Sequence, residues 1–164
     1  MVELDKRLLH SKLKERLAAE LERAQKRAKE AADGATHEEN RAEGDKDMRA
    51  TEASYVARGH SSRVTEMEEA LLRVNALELL EFEPGARIAV SALVELEHQG
   101  RRLHYFLMPA GGGERVELSG VQVQTITTQS PLGAALLGLT EGDEAELPGR
   151  DAGGARSYEV IRVR

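Results

Sequence analysis

The sequence predicts an α+β fold: an N-terminal antiparallel α-helical coiled-coil hairpin, then a small β-sheet domain with one short helix. Three observations predict it. Composition changes near residue 83. Three of the fifteen glycines and no proline precede that point, while twelve glycines and Pro84, Pro109, Pro131 and Pro148 follow it. Val and Ile shift the same way, four before and ten after. Finally, Ala, Leu, Glu, Lys and Arg, the good helix formers, dominate the first part, whereas β-branched residues and turn punctuation mark the second as sheet. Such segregation favours two separate units, 1–82 and 83–164, over an alternating α/β domain.

The first helix is expected from about Val2 to Ala32. Leu9, Leu13, Leu17, Leu21, Ala24, Ala28 and Ala31 form one stripe at spacings of three and four. At 1.5 Å per residue this helix would be roughly 45 Å long. A second helix is expected from about Met48 to Leu80. Its stripe reads Glu52, Tyr55, Gly59 and Ser62, then Val64 or Met67, Leu71, Val74 and Leu77. Two long stripes with a short connection make an antiparallel hairpin. The seam is Leu, Val and Met near residues 67–80 and shrinks to Ala, Gly and Ser toward the connection, which suggests a slim, projecting end. On this pattern Tyr55 packs into the seam. The plain alternative is an oligomerisation coiled coil.

Glu83-Pro84-Gly85 is a helix stop and turn. Arg87 to Glu97 alternates, with Ile88, Val90, Ala92, Val94 and Leu96 on one side, and Gln99-Gly100 turns into Arg101 to Pro109, which predicts a β-hairpin. Gly111-Gly112-Gly113 reads as a loop; it has no lysine and leads to no helix, which argues against a phosphate-binding loop. Val121 to Thr128 is the third expected strand. Ser130 fits an N-cap and Pro131 the first position of a short helix ending at Leu137, which Gly138 can close. Glu144 to Pro148 and Arg156 to Arg162 complete the sheet.

Composition excludes several kinds of chemistry. The chain has 164 residues, 23 Lys plus Arg, 29 Asp plus Glu and a formal charge of −6. With no cysteine there is no disulfide scaffold, thiolate metal site or thiol nucleophile. Five aromatic residues give little platform for stacking single-stranded nucleic acid. The negative balance argues against a free, sequence-specific DNA binder. The five histidines, at 10, 37, 60, 98 and 104, show no ligand spacing. Met1 to Lys14 is charged throughout and lacks the apolar core of a secretion signal. Leu118 to Thr140 carries no charge but holds Gln, Ser and Pro, so it reads as strand, turn and helix and not as a membrane span. A soluble, cytoplasmic monomer is the expectation.

The connection between the helices, near 36–49, is acidic. Glu38, Glu39, Glu43, Asp45, Asp47 and Glu52 stand against Arg41, Lys46 and Arg49. One reading is a solvated loop in which Asp45 and Asp47 cap the second helix, worth about 0.3–1 kcal/mol each. The other is metal chemistry in company. Carboxylates are hard oxygen ligands suited to Mg²⁺, but a few on a loop would not hold it without phosphates. A partner already holding Mg²⁺ and an RNA 3′ end could recruit a second ion through them, and paired metals stabilise the attacking and leaving oxygens of phosphodiester hydrolysis.

The segment Thr127-Thr128-Gln129-Ser130-Pro131-Leu132-Gly133-Ala134-Ala135-Leu136-Leu137-Gly138-Leu139-Thr140-Glu141-Gly142-Asp143, with Tyr158-Glu159-Val160-Ile161, resembles the C-terminal signature of the Gre family of bacterial transcript elongation factors. The resemblance covers almost the whole chain. It implies an FKBP-like C-terminal domain that docks on the rim of the RNA polymerase secondary channel, with Ser130, Pro131 and Leu132 as partner-binding candidates. It also implies a coiled coil whose acidic end enters the channel, where it helps bind Mg²⁺ and activate water for cleavage of backtracked RNA. The polymerase, not this chain, would hold the active site, and the chain would have no cofactor of its own.

Typical members carry Gly-Asp-Leu-x-Glu-Asn-Ala-Glu-Tyr at that end. Here Gly44-Asp45 is followed by Lys46-Asp47, and Tyr55 comes ten residues after Asp45. Asp45 matches the family's first acid, Asp47 is the nearest second, and Glu43 stands behind them. These are the candidate catalytic acids, and Asp45 and Asp47 the candidate shared metal ligands. Two readings stay open: a factor that stimulates cleavage, and a regulator or inhibitor that occupies the channel without cleaving. A prolyl isomerase would need an aromatic-lined pocket, and the second half offers only Tyr105, Phe106 and Tyr158.

Overall fold

The computed structural model describes residues 3–39, 46–149 and 153–164. Its elements are α1 (Lys6–Glu39), α2 (Lys46–Asn75), β1 (Leu93–His98), β2 (Arg101–Met108), β3 (Arg115–Leu118), β4 (Val121–Thr127), α3 (Pro131–Leu136), β5 (Glu144–Leu147) and β6 (Arg156–Val163). The α+β class and the order of helical hairpin, sheet and one short helix are as expected. The chain divides into two compact units, one helical over 15–72 and one combining the described residues of 1–14 and 73–164. Among the described residues no helix is long and apolar enough to cross a membrane.

In the helical unit, Gln25 Nε2 donates to Glu68 Oε1 at 3.4 Å, and Ala31, Gly34 and Ala35 share a groove with Arg49, Ala53 and Val56. Residue numbers that rise on one helix fall on the other, so α1 and α2 run antiparallel here. The α1 stripe holds: Ala24 is buried, and Leu17, Leu21, Ala28 and Ala31 are half-buried. The α2 stripe holds only from Val64 onward. Glu52, Tyr55, Gly59 and Ser62 are exposed, while, with Ser54 beside them, Ala50, Ala53, Ala57 and His60 are half-buried. Those positions continue the heptad of Val64, Met67 and Leu71 backward at alternating spacings of three and four.

Both helices also differ at their ends. Helix α1 starts later than Val2 because Asp5 caps it: its Oδ1 accepts from the Arg7 and Leu8 amides at 2.8 and 3.3 Å. Helix α2 stops at Asn75, where the Val74 carbonyl accepts from the Leu77 amide at 3.3 Å and side chains reach this and a later carbonyl. His10, buried, has Nε2 at 2.7 Å from the Val74 carbonyl, and the Lys6 ammonium donates to the Leu80 carbonyl and lies over the Phe82 ring at 4.7 Å.

The expected strand from Arg87 begins only at Leu93. Ser91 stands in the left-handed region at φ 74°, its amide donates to the Leu107 carbonyl, and its hydroxyl accepts from the Leu80 amide at 2.9 Å. That buried corner ends the alternation, and Ile88 pairs instead with the α3 exit: Ile88 N–H to Leu139 O at 2.8 Å and Gly138 N–H to Ile88 O at 2.9 Å. The hairpin turn is as expected, with Gln99 (φ 51°) and Gly100 (φ 74°) both left-handed. Strand β3, not foreseen, joins β4 through Ser119 (φ 51°) and Gly120 (φ 77°), a turn of the same kind.

The strands form one sheet in the order β3-β4-β2-β1-β6-β5, antiparallel except for β2 with β4. A bulge at Ile161 lets Glu95 face Arg162 and Leu96 face Val160. On one face α3 covers a core of Val94, Leu96, Leu107, Ile126, Leu136 and Val160. On the other face Leu93, Phe106, Met108, Val116, Leu118 and Val123 are buried. The first turns of α1 lie beside β3 on that side, with Lys12 Nζ at 3.5 Å from the Glu117 carbonyl.

His104 is half-buried beside Glu95 on this second face. Burial pulls it below its ordinary value of 6.5; Glu95 opposes this, and Arg164 and Arg102 add to it. A lowered folded pKa means that the unfolded chain binds more protons in this window. His104 therefore costs stability as pH falls through about 6.5 and below. We expect His104→Gln to lose less stability than wild type between about pH 7.5 and pH 5.5. Parallel urea-unfolding curves for both proteins at the two pH values would test this; equal losses would contradict it.

Candidate partner-binding surfaces

The acidic connection is flanked by described helix ends. At the α1 end, Thr36 donates its hydroxyl to the Ala32 carbonyl at 3.0 Å, and His37 is exposed. Glu43 and Asp45, the first candidate acids, lie outside the described residues. Asp47 falls in the first turn of α2, and its side chain is likewise outside them. Among the described residues no group of three or more His, Asp or Glu side chains is placed to hold a metal ion.

What the structure does describe there is an exposed α2 face. Met48 is 85% exposed, Tyr55 67% and Val56 51%. Met48, Glu52 and Tyr55 follow at spacings of four and three, so they share one side of the helix. The Arg58 guanidinium sits over the Tyr55 ring, 5.6 Å from its centroid, a contact that holds the ring outward. Tyr55 is thus not a seam residue, contrary to expectation. Its bulk on an outward face explains why: the alanine heptad closes the seam, and nothing is left for a phenol to fill.

The second surface is the turn into α3. Ser130 is its N-cap (φ −67°, ψ 150°), and its hydroxyl accepts from the Gly133 amide at 3.1 Å. The same hydroxyl donates to the Thr127 carbonyl at 2.8 Å. Pro131 occupies the start of the helix, where no amide is needed. Of the three partner-binding candidates, Ser130 is therefore engaged internally, Leu132 packs on the core, and Pro131 is exposed. Leu137, 41% exposed just after α3, joins Pro131 as apolar surface. Nothing in the sequence singled out Leu137, because six helical residues give too few turns to sort an inner from an outer face.

Around this turn the backbone is well tied. Arg87 Nη1 donates to the Gly138 carbonyl at 3.2 Å, and Asp143 Oδ2 accepts from both the amide and the hydroxyl of Thr140 at 2.8 and 3.1 Å. Replacing Ser130 with alanine removes the cap and leaves the Gly133 amide without it, so a loss of about 1 kcal/mol is expected. Chemical denaturation would measure it, and an unchanged midpoint would show the cap to be dispensable.

No family model matches the sequence. The chain is similar to the transcription elongation factor GreA of Methylococcus capsulatus, 29% identical over 104 residues that cover 62% of this chain and 61% of that protein. GreA of Bartonella tribocorum is 29% identical over 128 residues, 77% of each chain. GreA of Hyphomonas neptunium is 30% identical over 101 residues, 62% of this chain and 60% of its own. The chain thus spans about three fifths of the length of two of these relatives. Among solved structures, GreA factor homolog 1 of Thermus thermophilus is 27% identical over 92% of this chain and 94% of that one, with a TM-score of 0.37. The relationship to the Gre-type factors is a divergent one.

Proposed function

We propose that this chain is an accessory elongation factor of bacterial RNA polymerase. In this reading the sheet unit docks on the polymerase through the apolar surface around Pro131, Leu132 and Leu137. The acidic connection reaches the secondary channel, and Asp45 and Asp47 act there with the polymerase's own residues. The observation that carries the proposal is the similarity to GreA elongation factors over as much as 77% of the chain. The paired antiparallel helices, the acids between them and the Ser130-Pro131 turn support it.

The chemistry assigned to the acids is limited. A second Mg²⁺ would supply charge stabilisation for the attacking and leaving oxygens of the scissile phosphodiester. Asp45 and Asp47 would contribute hard oxygen ligands and orient water; they would not bind the metal alone. The chain itself is no catalyst in this reading, and its partner supplies the RNA 3′ end. The acid spacing, Gly44-Asp45-Lys46-Asp47, favours a second reading: a regulator that occupies the channel without cleavage.

Adding purified protein to stalled, backtracked elongation complexes tests the proposal. The expected result is faster shortening of the RNA and polymerase binding that Leu132→Glu weakens. Binding without any RNA cleavage, at any Mg²⁺ concentration, would select the regulator. Absence of polymerase binding would overturn both readings.

A further inference from the structure

The sheet is electrostatically two-sided. Register and pleat place Glu95 and Glu97 of β1, Glu144 and Glu146 of β5, and Glu159 of β6 on one face, with Arg102 and Arg162. Glu97, Glu159 and Glu144 stand in one row across three neighbouring strands. On the opposite face, which α3 covers at one end, the uncovered strand positions carry Arg101 of β2, Arg115 of β3 and Arg156 of β6. Glu117 is the one acid at a strand position there. A chain with a formal charge of −6 thus keeps three exposed arginines together on one side of its sheet.

Between the arginines lies a floor that is apolar and aromatic. Tyr105 and Leu103 are half-buried on β2. On the neighbouring strands His98 stacks on Tyr158, with ring centroids 4.4 Å apart and 22° between planes. His98 is fixed in that pose by its Nδ1, 2.7 Å from the Ser157 carbonyl. Gln122 and Gln124 of β4 flank Tyr105 and Leu103 on the same face.

We propose that this face docks an acidic polypeptide segment in extended conformation. Arginine forks match carboxylates in pairs of parallel hydrogen bonds. Glutamine side chains can both donate to and accept from an exposed peptide backbone. The three arginines come from β3, β2 and β6, each two strand spacings apart, roughly 10 Å across the sheet. Arg115 is level with Tyr105, four residues along from Arg101, and Arg156 lies two residues beyond the level of Arg101. The three therefore lie on a diagonal, roughly 16 and 12 Å apart, about five and four residues of extended chain, and acids spaced four or five residues apart meet them in turn. Single-stranded nucleic acid fits less well. It is held by bases stacking on open aromatic faces, and here Tyr158 is 7% exposed with His98 against its ring. The face lies on the strands rather than at the Pro131 turn, and the proposal does not depend on polymerase binding.

The test uses the full chain and a fluorescent peptide about ten residues long, rich in glutamate with one central leucine. Its lysine counterpart and an oligouridylate of matched length are the comparison probes. Anisotropy titration at low salt should show saturable binding of the acidic peptide alone. Arg101→Ser with Arg156→Ser should weaken it at least tenfold, while Glu97→Gln on the opposite face should not. Both positions are exposed, and an unchanged melting curve would confirm folding of the variants. Equal binding of the lysine peptide, tighter binding of the oligouridylate, no binding, or full retention by the double arginine variant would each overturn the proposal.

Discussion

Gly133→Ala is expected to destabilise the sheet unit by about 3 kcal/mol or more. A β-carbon built on Gly133 would stand 1.9 Å from the Thr127 carbonyl oxygen and 2.9 Å from both the Thr127 carbonyl carbon and Ser130 Oγ. Two of these atoms are backbone, and the third is the cap. Thr127 cannot retreat, because it ends β4 in register with Met108 and its carbonyl accepts from the Ser130 amide at 3.1 Å and the Ser130 hydroxyl at 2.8 Å. Relief therefore requires moving α3 off the sheet, which uncovers Leu136, fully buried in the core. Gly112→Ala is the matched comparison. There the nearest atoms are the Thr127 methyl at 3.1 Å and the Thr127 backbone nitrogen at 3.3 Å, contacts that need only a few tenths of an ångström of relief, so a smaller loss of about 1 kcal/mol is expected. Urea denaturation of the two variants would measure the difference. Equal midpoints would mean that α3 can shift without cost and that the tight seat of Gly133 is not a constraint.

The seat of Gly133 was partly legible in advance. Ser130 followed by Pro131 is a local signal, since a cap and a first-turn proline need nothing but their own neighbours. The same is true of Gln99-Gly100, whose two left-handed residues are set by the turn alone. Signals that depend on distant residues were harder. The strand expected from Arg87 has faultless alternation through Ala92, yet Ser91 breaks it for a hydrogen bond to the Leu80 amide, a partner eleven residues earlier. Strand β3 is only four residues long, and its pairing with β4 is what makes it a strand. On α2 the expected stripe ran through Tyr55, but packing selected the positions of Ala50, Ala53 and Ala57 instead, because helices that approach closely need small side chains between them. At the functional level, the acids of the connection were legible as a charge pattern, but the role proposed for them would be a property of a complex, which no arrangement within one chain can express.

The double variant Asp45→Ala, Asp47→Ala is expected to keep wild-type affinity for the polymerase and to lose about a hundredfold or more of the stimulated RNA cleavage rate. Both acids are far in sequence from the core residues of the sheet unit, so the sheet unit should fold without them. Loss of metal-ligating oxygens removes several kilocalories per mole of transition-state stabilisation, and each tenfold corresponds to about 1.4 kcal/mol. If the acids act together on one ion, the single variants should each cost nearly as much as the double, because groups that act as a unit are not additive. Raising Mg²⁺ should recover part of the lost rate, since a weakened site fills at higher metal concentration. Glu43→Ala, one position before the Gly44-Asp45 pair, should cost less than either aspartate. Single-turnover cleavage of a backtracked complex, with polymerase saturated by each variant, separates these outcomes from simple loss of docking. Unimpaired cleavage by the double variant would remove the acids from the chemistry. A loss that no amount of Mg²⁺ restores, with additive single effects, would point instead to separate contacts with polymerase or RNA.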